Sequence, residues 1–147
     1  MASAQGLGQP VLDFSFSWGA AASSSGVGPN GSFQYCAVKL DGNDLEVAGS
    51  SSAGATVLAN SGSVGILQNQ PNAVGQAAQV RLLGISKLVV DGSGTAIVPG
   101  NWLKVDAAGR GVVDTASSSA AALALALQNS TAQNDIITVF VCPAQVT

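Results

Sequence analysis

Two stretches of the chain, VGILQNQPNAVGQAAQVRLLG (Val64 to Gly84) and ALALQNSTAQNDIITVFVCP (Ala124 to Pro143), follow one pattern. Each alternates apolar and small or polar residues up to Leu-Gln-Asn, turns through a few small polar residues, and alternates again. Period two is the signature of a half-buried strand, because successive side chains leave the backbone on opposite faces. The echo extends further back: Val38-Lys39-Leu40-Asp41 corresponds to Leu103-Lys104-Val105-Asp106, each followed by a Gly-bearing turn, a short apolar strand and a Ser/Ala-rich stretch. Both units read strand, turn, strand, linker, strand, turn, strand. Two units are too few for a solenoid. They can face each other, each covering the other's apolar side. The expected fold is all-β: a small β-sandwich or barrel of two quasi-repeated strand units, about residues 33–84 and 96–143, inside a single β domain spanning 33–147.

Residues 1–32 read as an extended N-terminal arm and a flexible Ser/Ala/Gly loop. VLDFSFSW (Val11 to Trp18) sets Leu12, Phe14, Phe16 and Trp18 on one face of a strand against Asp13, Ser15 and Ser17. GAAASSSGVGPNGS follows, with turn chemistry at Pro29-Asn30-Gly31. A strand set off in this way packs on its own protomer or reaches a partner. Further along, ASSSAAALALALQ has the composition of a helix. Its leucines fall at 123, 125 and 127, however, and only a strand stacks that spacing on one face. Residues 121–128 are therefore expected to be a strand, with a helical turn allowed at 117–120. Short strands are also expected at 56–58, 87–90 and 96–98.

The surface chemistry is unusual. Apolar residues make up 47% of the 147 positions, which is ordinary, but charged residues make up 9%, where about 25% is typical. A mixed charged surface normally keeps domains apart in solution. A surface of Ser, Ala, Gly, Thr, Asn and Gln instead suits a subunit with much of its exterior committed to neighbours. The net charge of −3 and the scattered bases Lys39, Arg81, Lys87, Lys104 and Arg110 argue against nucleic-acid binding, which needs a clustered basic face. No apolar run approaches the ~20 residues that span a bilayer as a helix, and MASAQGLGQP lacks the charged and apolar regions of a secretory leader. On that reading the sequons at Asn30 and Asn129 stay unmodified, and Cys36 and Cys142 are free thiols unless their strands are adjacent.

Catalytic constellations are missing. The chain has no histidine, so imidazole acid–base chemistry and His-based triads are excluded. GVGPNG matches a dinucleotide-binding string, but Pro29 interrupts it and a strand-like FQYCAVKL follows where a helix is required. DGNDLE (Asp41 to Glu46) gathers acids without the twelve-residue loop and terminal bidentate Glu of a calcium site, and reads as a solvated hairpin turn. Glu46 is the single glutamate, which leaves little for paired-carboxylate chemistry. No enzyme activity, cofactor or metal is expected.

From about Val38 onward the chain resembles the capsid decoration, or cement, proteins of tailed bacteriophages. The residues that carry the resemblance are AIVPGNWLKVDAAGRGVV (Ala96 to Val113), the Val64 to Val90 succession of strand, Gly-bearing turn and strand, and the closing ALALALQNSTAQNDIITVFV. The resemblance implies a β-rich fold and trimerisation. It also implies attachment to the major capsid protein on the outer surface of the virion, after synthesis in the host cytoplasm. Under it, Leu12, Phe14, Phe16 and Trp18 on the arm, and Trp102 beside the Pro99-Gly100 turn, are the candidate capsid or subunit contacts, since aromatics concentrate interface energy. A tail-associated or host-recognition β module is the alternative.

Overall fold

The computed structural model describes residues 11–19, 26–40, 46–49, 63–115 and 121–145. Within them run β1 (Leu12–Trp18), β2 (Ala37–Leu40), β3 (Glu46–Gly49), β4 (Ser63–Leu67), β5 (Ala77–Asp91), β6 (Trp102–Val105), β7 (Gly111–Val113), β8 (Ala121–Ala126) and β9 (Gln133–Gln145), with one 3-10 turn at Pro29–Gly31. No α-helix occurs among the described residues, and the all-β expectation holds. The expected strand at 56–58, the turn at 117–120 and most of the acidic DGNDLE turn lie outside the described residues.

Strand pairing closes two rings. In the first, β1 pairs parallel with β3 and antiparallel with β5, and β3, β2, β4 and β5 follow one another antiparallel. In the second, β5 pairs parallel with β7 through Val90↔Gly111 and antiparallel with β9, while β7, β6, β8 and β9 follow antiparallel. Each ring is a five-stranded closed barrel with the other's strands bonded outside it, and closure leaves no free sheet edge around the ring. The order of pairing is the same in both. The C-terminal half of β5 does for the second ring what β1 does for the first.

The long β5 makes this sharing work. Its residues up to Leu83 pair with β1 and β4, and from Gly84 onward they pair with β9. The sequence suggests two strands here, because Gly84 and Ser86 interrupt the apolar pattern. The alternation nonetheless continues, with Ala78, Val80, Gly84, Ser86, Leu88 and Val90 all buried. Gly84 sits at the changeover with φ of 110°, a conformation that side-chain-bearing residues rarely adopt.

Each barrel has its own core. Trp18, Phe33, Val38, Val47, Leu67, Ala78 and Val80 fill the first, with Phe16, Val64 and Leu82 packed against them. Leu88, Val90, Leu103, Val105, Leu123, Ala126, Ile137, Val139 and Val141 are among those that fill the second. Each fully buried Leu or Val contributes about 1.5–3 kcal/mol relative to exposure. Ala37 and Ile66 belong to the second core although their strands ring the first. Their side chains point out of the first barrel, opposite to Val38 and Leu67, and join the two bodies. The backbone follows suit, since the Ala37 N–H donates to the Gly109 carbonyl at 2.9 Å.

Other sequence expectations need correction: residues 96–98 form no strand, only an isolated bridge between Ile97 and Ser130. The β8 strand ends at Ala126 and leaves Leu127 outside it, and the pairing register with β9 shifts between Ala122 and Ala124. That irregularity resets the alternation, so Leu123, Ala124 and Ala126 enter the core while Leu125 faces outward. The Leu-Gln-Asn echo is also out of register by one residue. Leu67 pairs with Val80 and Ala126 pairs with Val139, which sets Leu67 against Ala126. Accordingly Asn69 and Gln128 do the same job: Asn69 Oδ1 accepts the Gln79 N–H at 2.8 Å and Gln128 Oε1 accepts the Thr138 N–H at 2.6 Å.

Candidate interaction surfaces

The five candidate contact residues divide between core and surface. Trp18 is 2% exposed in the first core, its ring 5.7 Å from that of Phe33. Phe16 is half-buried against the same core, and its ring lies 4.9 Å from Phe14. Phe14 and Leu12 are 44% and 53% exposed. The aromatic face of β1 therefore runs from the core out to solvent, and only its outer end is free for a partner. Leu12 pairs with Leu83, also exposed, and Val11 continues the apolar strip. A bidentate pair fixes the strip to β5: Arg81 Nε and Nη2 donate to the two Asp13 carboxylate oxygens at 2.8 Å each. That hydrogen bonding holds the Asp13 carboxyl below its ordinary pKa.

Trp102 belongs to a different surface. It is half-buried on the outside of the second barrel, where it pairs with Leu125, Leu125 with Phe140, and Phe140 with Ile85. Residues in register share a face, so these four form one apolar row across β6, β8, β9 and β5. Leu127 and Ile136 flank the row and are exposed. Lys104 at its margin is held by Asp114 at 3.6 Å. Nothing in the sequence singles out Leu125 or Phe140, because their neighbours in the row come from strands far apart in the chain. The one legible signal is their place in period-two runs.

Between the barrels lies a cleft of about 310 Å³ lined mainly by Tyr35, Gln68, Arg81, Ser86, Lys87 and Thr138. Tyr35 has φ of 63°, and Lys87 Nζ stands 5.7 Å from its ring centroid. Gln68 Nε2 donates to Ser86 Oγ and to the Ile66 carbonyl at 2.9 Å each. These contacts tie the waist together. At the far end of β5, Arg110 bonds Asp106 at 2.7 Å and Asp91 at 3.2 Å, and donates to Asn134 Oδ1 at 3.2 Å, which clasps β5, β9 and the β6–β7 turn.

Reactive groups are muted. Cys36 and Cys142 are free thiols. Burial pushes Cys36 up to about 12 and raises Cys142 as well, so neither is poised as a nucleophile near neutral pH. Among the described residues no group of three or more His, Cys, Asp or Glu could hold a metal ion, and no helix is long and apolar enough to cross a membrane. The arrangement is suited to contact.

No protein-family model matches the chain, and no curated protein matches it. A solved structure does. The N base of the head fiber protein gp8.5 of bacteriophage phi29 superposes with a TM-score of 0.51 at 14% identity, covering 94% of this chain and 99% of that one. The two share a fold. At that identity the likeness concerns architecture, and function is argued from the surfaces.

Proposed function

We propose that this chain is a structural protein of a phage head, which binds the outer surface of the capsid shell as a homotrimer and stabilises its expanded form. The observation that carries the reading is the fold likeness to a phage head-fiber base across nearly the full length of both chains. The sequence resemblance to capsid decoration proteins, the low charge and the exposed apolar surfaces support it. Such a protein works by mass action: it stabilises whichever shell state it binds, by an amount set by free concentration over dissociation constant. A trimer that touches several capsomers gains further through effective concentration.

The shell contact in this reading is the strip Val11, Leu12, Phe14 and Leu83. Deleting residues 1–18 is a poor test, since it removes Trp18 and the strand that closes the first barrel. The double variant Leu12→Ser, Phe14→Ser leaves Trp18 in place and should fold yet fail to coat purified shells. Coating at wild-type density would remove the strip from the mechanism. The wider reading is tested by counting copies of this protein per particle with quantitative mass spectrometry. Hundreds in a fixed ratio to the shell subunit support decoration, a handful point to a tail or vertex component, and none would overturn the virion assignment.

A further inference from the structure

The equivalence of the two barrels extends to the turns that lead into β2 and β6. Phe33-Gln34-Tyr35-Cys36 precedes β2, and Val98-Pro99-Gly100-Asn101 precedes β6. Both turns close alike: the Cys36 N–H donates to the Phe33 carbonyl at 2.9 Å, and the Asn101 N–H to the Val98 carbonyl at 3.1 Å. They also dock alike. The Tyr35 N–H donates to the Leu67 carbonyl at 2.8 Å, and the Gly100 N–H to the Ala126 carbonyl at 2.9 Å. The third residue of each turn has a positive φ, 63° at Tyr35 and 92° at Gly100. Such a position favours glycine, because a Cβ crowds the backbone there. The second barrel uses glycine. The first carries a tyrosine, a bulky residue for which the left-handed region is costly.

A tyrosine held against its backbone preference points to work done by its side chain. That side chain lines the cleft of about 310 Å³ between the barrels. Lys87 lines it too, with Nζ 5.7 Å from the Tyr35 ring centroid and no carboxylate partner among the described residues. Arg81 is the other cation of the cleft, and Asp13 takes up its charge. Gln68 spends its amide N–H groups on Ser86 Oγ and the Ile66 carbonyl, and among the described residues nothing donates to its side-chain oxygen. We propose that this cleft binds a small hydroxylated monocarboxylate of sugar-acid size, with the carboxylate on Lys87 and the hydroxyls on Gln68 and Thr138. The volume lies at the low end of small-molecule sites, about 300–1,000 Å³, which sets the size. The charge sets the class. One uncompensated ammonium matches one carboxylate, whereas a phosphate dianion would be left half-neutralised out of water. Tyr35 and Ile85 supply the apolar walls. The assignment stands apart from the capsid reading, since it concerns the free protein.

The test is a titration of the isotope-labelled full chain with sodium glucuronate at constant ionic strength, read by amide chemical shifts, with glucose as the neutral control. Saturable shifts centred on Tyr35, Gln68 and Lys87 are expected with glucuronate and none with glucose. Lys87→Gln, at an exposed site, should weaken binding roughly tenfold or more, the fold-change that loss of one charge-assisted contact gives. Tyr35→Gly should abolish binding with a thermal midpoint at or above that of wild type, because glycine relieves the backbone. Wild type without saturable shifts at high millimolar glucuronate would overturn the proposal. So would equal binding of glucose, or of glucuronate by Lys87→Gln. A Tyr35→Gly protein that melts below wild type would show that the ring is kept for packing between the barrels, and would overturn it as well.

Discussion

The two barrels share a pairing order and differ in almost every residue that fills them. Trp18 of the first stands where the second has Val90, since Trp18 pairs with Val47 as Val90 pairs with Gly111. Leu67 matches Ala126, and Ala78 matches Ile137, because Ala78 faces Phe16 as Ile137 faces Leu88. Large residues in one are small in the other at several positions. The backbone hydrogen-bond scheme is thus the common element, and each interior reaches native density by its own distribution of volume. The first barrel depends on an aromatic pair, Trp18 with Phe33. The second relies on branched aliphatic side chains and the Arg110 clasp.

This contrast can be broken experimentally. The largest effect expected is from Trp18→Ala, about 3–5 kcal/mol, with Leu103→Ala in the second core at about 2–5 kcal/mol. If the shared β5 makes the barrels one cooperative unit, each variant shows a single denaturant transition at a lower midpoint. Two separate transitions, with only one displaced, would mean that the barrels fold independently.

A smaller effect is expected where the two fillings are exchanged. A Cβ on Gly111 would lie 2.7 Å from Leu88 Cδ2 and 3.3 Å from Leu103 Cδ1, so the residue that suits the first barrel, Val47, does not suit the second. Gly111→Val should cost about 1–3 kcal/mol through overpacking. The same chemical denaturation curve reads it, and a neutral result would show that the second interior has room to spare.

The smallest effect lies in the acid range. Asp13 is held below its ordinary pKa chiefly by the hydrogen bond from Arg81, and Asp91 chiefly by that from Ser93. A folded-state pKa below the unfolded value gives stability that is fully present above the ordinary carboxylate value of about 3.9 and is lost as pH falls through the folded values. Thermal midpoints should therefore be level from neutral pH down to about 5 and decline below about 4. Asp13→Asn should flatten part of that decline. An unchanged acid profile in the variant would mean that this surface pair contributes nothing measurable, as many exposed pairs do.

Several parts of this architecture are legible in the chain itself. Period-two spacing in Val38 to Leu40, Val64 to Ile66, Val80 to Leu82 and Val139 to Val141 specifies strands without reference to any neighbour. At Leu123, Leu125 and Leu127 the same spacing correctly overrides helix-forming composition, although it misplaces Leu125, which the register shift in β8 turns outward. Contacts are harder to read. Leu12, Phe14, Phe16 and Trp18 look identical as a pattern, yet two are surface and one is wholly buried, because the barrel covers only the end of β1 that reaches its interior. Trp102 is visible as an aromatic beside a turn, whereas Leu125 and Phe140 become its companions only through pairing.

The amino-acid sequence by itself determined that this protein is all-β, that turns separate its strands, and that it carries no imidazole chemistry. These properties depend on side-chain alternation, turn residues and composition, all of which are local. Tertiary structure alone decided that β1 closes the first ring, that one continuous β5 serves both, and that Ala37 and Ile66 are wholly buried while the Trp102 row stays partly open to solvent. The reason is physical: alternation fixes which residues share a face of a strand. Which strand lies beside that face, and what packs against it, depends on hydrogen bonds and burial between residues far apart in the chain.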